Sequence, residues 1–419
     1  MSDFGKQNEP VRVSRKVSPG VERAKKAEPD RSTRMIACLD HEPMRLDEMD
    51  FRCLLMSCVL SGASDITFQS DAQPRADIHG ELYRATRRPL AASEVDLILT
   101  ETYGGANGRA EINSMRVLDY SYELNLTDGT KQRFRVNATG ILPGIEITMR
   151  ALPRDTPTIE GVGLIEDEVH ALSPLNGIVA ICGATGSGKS TTMAAINRHH
   201  LETSVRPVKI VDIQAPIEYT YRDVTRMLSG SSSVIGQSEV GRHVRSFAEG
   251  VHSALRRKPN IINVGEARDF ETISAALEAS LTGHLVYTTT HASSVSDAMR
   301  RLLTAFPGVE RESRAYDLVS SLRFMMVQHL IPRIDIVGRL PVREYLRFTP
   351  EIRDRLMETE VNDWPSIVTR LVSGEIEIDQ KQGMRSYLPD VVAHAYAQGW
   401  ISKEDAEIVG GPEAIAGRP

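Results

Sequence analysis

The chain has 419 residues, 41% hydrophobic and 25% charged, a balance that supports two or three folded domains and excludes a low-complexity or fibrous chain. Its formal net charge of −6 argues against wholesale coating of nucleic acid, and no apolar run approaches bilayer-spanning length. The four cysteines, Cys38, Cys53, Cys58 and Cys182, form no C-x-x-C pair and read as reduced thiols of an intracellular protein rather than a zinc site.

Residues 1–34 carry Pro10, Pro19 and Pro29, few large apolar side chains, and nine Lys and Arg against five Asp and Glu. That composition predicts a disordered basic tail, with docking to a partner or an anionic surface as the alternative. From 35 to 152 the pattern becomes α+β. Phe51, Leu54, Leu55, Cys58 and Val59 share one helical face. Ile66 and Phe68, then Ile78 and Leu82, alternate with polar neighbours. Leu118, Tyr120, Tyr122, Leu124 and Leu126 alternate most regularly, Asp128-Gly129 supplies a hairpin turn, and Phe134 and Val136 return on the next strand. An antiparallel sheet with one wet face follows from this pattern.

Arg133 and Arg135 lie on one face of that returning strand, and Arg150 lies further on. Paired guanidinium groups can clamp phosphate oxygens across a domain or subunit boundary, although an ordinary charged outer face has the same pattern.

Pro153 and Pro157 punctuate a stretch without period, which sets a boundary near 152. From 153 to 345 apolar strands alternate with helices: Ile178–Cys182, Val208–Ile213, Ile261–Val264 and His284–Thr289, with a helical face from Val244 to Leu255. Alternation of this kind predicts a parallel sheet covered on both faces. The first strand runs into Gly183-Ala184-Thr185-Gly186-Ser187-Gly188-Lys189-Ser190, which fits the phosphate-binding pattern G-x-x-x-x-G-K-[ST] without mismatch, and Thr191 continues into a helix. Backbone N–H groups at such a loop, backed by the helix N-terminus, cradle an anion. Lys189 can reach the β- and γ-phosphates of ATP, and the Ser190 hydroxyl can bind Mg²⁺.

Two carboxylates follow strands of the same sheet. Glu266, after Ile261–Val264 and Gly265, can hold Mg²⁺ or its coordinated water; a surface glutamate is the alternative. Glu218, after Pro216, can orient or deprotonate an attacking water; a solvated loop residue is the alternative. His291, past the C-terminal end of a strand, can sense the γ-phosphate or serve structurally. Asn263 is a polar residue inside an apolar strand and needs a partner if buried. Residues 346–419 read as helical, with Ser402-x-x-Asp405 opening one helix.

Taken in order, these segments resemble the secretion ATPase superfamily over residues 50–357, with the pilus-retraction (PilT-like) branch as a first comparison. Gly183–Thr192 resembles the family's Walker A block and Asn263–Thr272 its Walker B block, with Glu266 at the acidic position. Thr282–His291 resembles the histidine box, and Arg133–Asn137 resembles the arginine-bearing strand of the N-terminal domain. Pro216–Tyr219 resembles the end of the aspartate box, so that Glu218 falls on the catalytic glutamate, and Gln237–Gly241 resembles the segment that follows.

The resemblance implies a PAS-like domain joined to a RecA-like P-loop NTPase domain. It further implies a homo-hexameric ring with ATP and Mg²⁺ between the domains and completing arginines at 133 and 135. The setting it implies is cytoplasmic, peripheral at the inner membrane through partner proteins of a secretion, pilus or conjugation machine, with no sequence-specific nucleic-acid contact. Gln214-Ala215 stands where the family has two carboxylates, no tetracysteine element is present, and the region after 360 is closer to the DotB/TraJ group of type IVB secretion and plasmid conjugation. A nucleotide-gated scaffold with little hydrolysis and a RecA-like nucleic-acid motor are the competing functions.

Overall fold

A computed structural model of the chain describes residues 35, 42–78, 81–125, 131–227, 232–379 and 383–416. The expected basic tail at 1–34, Cys38 and the Asp128-Gly129 turn lie outside the described residues.

The N-terminal unit opens with helix Glu48–Leu60. Asp47 caps it, and Asp47 and Asp50 form a reciprocal capping box. Phe51, Leu54, Leu55 and Cys58 bury one face of the helix, as their spacing predicts. The strands are β1 (Asp65–Gln69), β2 (Arg75–Ile78), β3 (Glu81–Arg84), β4 (Leu118–Asn125), β5 (Lys131–Ile141) and β6 (Gly144–Ala151). They form one sheet in the order β3-β2-β1-β6-β5-β4, with every neighbour antiparallel.

Ile66, Phe68, Phe134, Val136, Ala138, Ile147 and Met149 line its dry face against the helices. Each of these side chains other than Ala138 contributes roughly 1.5–3 kcal/mol on burial. Strand alternation then puts Arg133, Arg135 and Arg150 on the wet face, with Arg135 directly between Ser121 and Arg150 in the register.

The second sheet contains β7 (Gly177–Cys182), β8 (Lys209–Gln214), β9 (Val234–Glu239), β10 (Ile261–Val264), β11 (Leu285–Thr290), β12 (Leu322–Pro332), β13 (Arg339–Arg347) and β14 (Arg385–Ser386). Their order is β14-β13-β12-β7-β11-β10-β8-β9. The run from β12 to β9 is parallel; β13 and β14 add antiparallel strands at one edge.

Every residue of β7, β10 and β11 is buried. Ile178, Ala180 and Cys182 face one helical layer, whereas Val179 and Ile181 face the layer that contains helix Lys189–Thr203. This is a RecA-like sheet covered on both sides. Its crevice lies at the carboxyl ends of the parallel strands, where the order reverses around β7.

Helices dominate after Pro350, but the change does not fall cleanly at 345: β13 continues to Arg347, and β14 pairs with it. Trp364 is fully buried beside Val368 and Leu371, and Ser402 caps helix Lys403–Gly410 by accepting a hydrogen bond from the Asp405 N–H.

Candidate nucleotide site

The phosphate-loop motif lies between β7 and helix Lys189–Thr203. Gly183 and Gly188 take φ of 143° and 85°, a region that side chains rarely occupy. Thr185 and Gly186 sit exposed at the crest of the loop, whereas Gly183 and Ser187 are buried. The helix has Gly188 as its N-cap and no side-chain cap, so its first-turn N–H groups open toward the loop.

Lys189 Nζ donates to the carbonyl oxygens of Gly183 and Ala184, both at 2.8 Å. Burial pushes the Lys189 ammonium below its ordinary range, and the negative charges of Glu266 and Glu218 oppose that shift. Both carboxylates therefore lie within electrostatic reach of the same ammonium. Ser187 Oγ is buried and has no hydrogen-bond partner among the described residues. Ser190 is part-buried in the first turn, and Thr191 Oγ1 lies 3.0 Å from the Tyr219 hydroxyl. The glycine cradle, the helix N-terminus and the lysine fit a polyphosphate. The Ser190 hydroxyl and the Glu266 carboxylate are hard oxygen donors of the kind Mg²⁺ takes.

Glu266 leaves the sheet at the end of β10. Gly265 precedes it because a Cβ there would stand 2.6 Å from Gln214 Oε1 and 3.0 Å from the Ile213 carbonyl oxygen. Glu266 Oε1 is 3.6 Å from His291 Nε2, and Oε2 is 3.7 Å from an Arg268 Nη1. His291 is thus beside the acidic residue, as its place past β11 allows.

The loop carrying Glu218 is held at three points. Ile217 N–H donates to Glu239 Oε2, Gln237 Nε2 donates to the Tyr219 carbonyl oxygen, and Tyr219 meets Thr191 through its hydroxyl.

Beneath it, buried Asp212 accepts from Gln214 Nε2 at 2.7 Å and from Gln237 Nε2 at 2.8 Å. Burial raises the Asp212 carboxyl pKa, and these amides work against the rise. The glutamine at 214 is therefore a donor to a carboxylate. Asn263 has its partner as well, donating to Asn197 Oδ1 at 3.0 Å on the helix that follows the phosphate loop.

The wet face of the first sheet meets this site. Arg133 Nη1 donates to the Glu218 carbonyl oxygen at 3.2 Å, and Ser121 donates through both N–H and Oγ to Glu239 Oε1. Burial lowers the Arg133 pKa, with the charges of Glu239 and Glu123 acting in the opposite direction. Arg150 is turned away onto Asp65 at 2.7 Å, and Arg135, on the same face as Arg133, makes no such bond among the described residues. The sequence reading did not single out Asp212, Gln237 or Glu239 as side chains; for Gln237 and Glu239 the Gln237–Gly241 match was the available signal.

Among the described residues no helix is long and apolar enough to cross a membrane. Over 358 residues the chain is 32% identical to the type IV pilus retraction ATPase PilT of Pseudomonas aeruginosa, covering 85% of this chain and 97% of that protein. The crystal structure of the Legionella pneumophila ATPase DotB, 38% identical, superposes with a TM-score of 0.78 over 90% of this chain and 98% of that one. A crystal structure of the pilus retraction motor PilT with bound ADP, 27% identical, gives a TM-score of 0.74 over 89% and 99%. Residues 52–367 match the type II/IV secretion system protein family, and the chain belongs to that family of secretion ATPases.

Proposed function

We propose that this chain is the ATP-hydrolysing motor subunit of a type IVB-like secretion or plasmid-conjugation apparatus. It would act as a homo-hexamer at the cytoplasmic face of the inner membrane and be held there by partner proteins. The observation that carries this reading is the grouping of Lys189, Glu218 and Glu266 around one glycine-lined loop, with Arg133 reaching the Glu218 segment from the other sheet. Similarity to DotB over nearly the whole chain supports the type IVB branch, and similarity to PilT supports a motor that works by domain closure.

In this reading the amides of Gly183–Ser190 and the Lys189 ammonium grip the phosphates. Ser190 and Glu266 would supply oxygens to Mg²⁺, which would offset phosphate charge. Glu218 orients the attacking water, Arg133 and Arg135 neutralise charge on the transferred phosphoryl group, and His291 responds to the γ-phosphate beside Glu266. Closure of the two sheets on nucleotide, and release after hydrolysis, moves a partner.

Steady-state phosphate release and mass photometry, with and without a non-hydrolysable ATP analogue, test the proposal. The expected results are turnover abolished by Lys189→Ala and a nucleotide-dependent six-membered assembly. Turnover unchanged in Lys189→Ala overturns the motor reading. A second reading, a nucleotide-gated scaffold, is favoured by the Gln214 amide that stands where the family has a carboxylate. Nucleotide binding with no turnover above the Glu218→Gln background selects it.

A further inference from the structure

Gln328 is a buried polar residue in the middle of β12, directly after the apolar run Phe324–Val327 that pairs with β7. Its amide is used on three sides. Nε2 donates to the Ser187 carbonyl oxygen at 2.6 Å, and Oε1 accepts from Thr192 Oγ1 and from Arg343 Nε, both at 2.9 Å. Its backbone lies as close. A Cβ on Gly183 would stand 2.4 Å from the Gln328 carbonyl oxygen, and a Cβ on Gly188 would stand 2.9 Å from Nε2. Two of the loop glycines are therefore pressed flat against this residue.

Arg343, opposite Gln328 in the β12–β13 register, is also buried. Its Nη1 donates to the Gly163 carbonyl oxygen at 2.7 Å, its Nη2 donates to the Val162 carbonyl oxygen, and Nη1 lies 3.8 Å from Glu168. Glu168 in turn accepts from the Ile165 N–H. Residues 162–168 belong to the segment that leads from the end of β6 to β7. A continuous polar path thus runs from the phosphate loop through Gln328 and Arg343 to the connection between the two sheets.

Burying a guanidinium and an amide inside a sheet costs desolvation that well-packed apolar residues would not incur. What this pair adds is direction. In a planar trans peptide the carbonyl and the following N–H point oppositely. Gln328 holds the Ser187 carbonyl toward β12, so the Gly188 N–H is turned the other way, toward the side on which a phosphate would sit.

We propose that Gln328 is a positioning residue of the phosphate loop, and that Arg343 transmits nucleotide occupancy of the loop to residues 162–168. This rests on the reading that the loop holds a nucleotide.

Gln328→Glu is the discriminating variant. Ionised beside the Arg343 guanidinium, the new carboxylate keeps acceptors for Thr192 and Arg343 but cannot donate to the Ser187 carbonyl. The expected result is ADP and ATP affinity of the folded variant weakened at least tenfold, a loss larger than any shift of its thermal midpoint accounts for. A purely structural role would shift the midpoint and leave the affinity of folded protein unchanged, and affinity within twofold of the wild type overturns the positioning role.

Hydrogen exchange tests the transmission. ADP should protect amides of 162–168 in the wild type, and Arg343→Met at saturating ADP should abolish that protection. Equal exchange with and without ADP in the wild type overturns the transmission. Failure of the wild-type chain to bind any adenine nucleotide, with Lys189→Ala as the control, would remove the parent reading together with this one.

Discussion

Arg133 donates from Nη1 to the carbonyl oxygen of Glu218, 85 positions away in the chain and in the loop that follows β8 of the other sheet. The contact anchors an arginine of the N-terminal sheet at the loop that carries the candidate water-orienting carboxylate. An arginine supplied to phosphoryl transfer is worth about 10³–10⁵ in rate. Arg133→Ala is expected to lower steady-state phosphate release by at least ~10³ while nucleotide affinity changes only severalfold. Arg133→Lys should restore little, because an ammonium cannot reproduce the planar fork. Turnover near wild type in Arg133→Ala, with loss in Arg135→Ala instead, would move the role to the neighbouring arginine.

Glu218 and Glu266 separate into two roles that kinetics can tell apart. Glu218→Gln removes a candidate base, and phosphate release should fall by about 10²–10⁴ at every magnesium concentration. Glu266→Gln removes an oxygen donor close to His291, and the half-saturating magnesium concentration should rise. The same magnesium titration run on both variants checks this. Identical curves for the two, apart from amplitude, would contradict the division.

Gln214 and Asp212 make a third test. The Gln214 amide, itself half-buried, donates to buried Asp212 Oδ1 at 2.7 Å. Gln214→Glu would return a carboxylate to a position where the family carries one, yet here it would face another carboxylate and remove its donor. Leaving buried acceptors unpaired and placing like charges together should cost about 3 kcal/mol of unfolding free energy. Urea denaturation near neutral pH checks the value. A variant as stable as the wild type would mean that Asp212 is not held by this amide.

The phosphate loop was legible in the sequence because its chemistry demands glycines and a lysine at fixed local spacing. β4 was legible because Leu118, Tyr120 and Leu124 bury one face in strict alternation. β12 was not: Phe324-Met325-Met326-Val327 is apolar without a period, and its place beside β7 is decided by tertiary packing. Alternation could put Arg133 and Arg135 on one face but could not choose between them. The choice depends on how the wet face docks, a matter of contacts such as Ser121 with Glu239 at a separation of 118 residues. Glu239 and Gln237 were invisible as individuals for the same reason.

The helix that begins at the phosphate loop also carries an acid-sensitive residue. His200 is buried, with Nε2 2.7 Å from the Tyr287 hydroxyl, which itself donates to the Leu172 carbonyl oxygen at 2.7 Å. The Tyr287 proton is committed to that carbonyl, so neutral His200 donates from Nε2. Burial, reinforced by neighbouring His199, lowers the His200 pKa from the ordinary 6.5 to about 4.

Between these values the unfolded chain binds the proton and the folded chain does not, so stability rises with pH across the window and is fully present above about 6.5. Falling from pH 6.5 to 4 should therefore cost about 3 kcal/mol from this residue, at 1.36 kcal/mol per unit. His200→Gln keeps an N–H for the Tyr287 hydroxyl but has nothing to protonate. Urea unfolding of both proteins at pH 7, 6, 5 and 4 should show the variant losing less stability than the wild type by about that amount. Parallel losses would place the acid lability in the carboxylates instead.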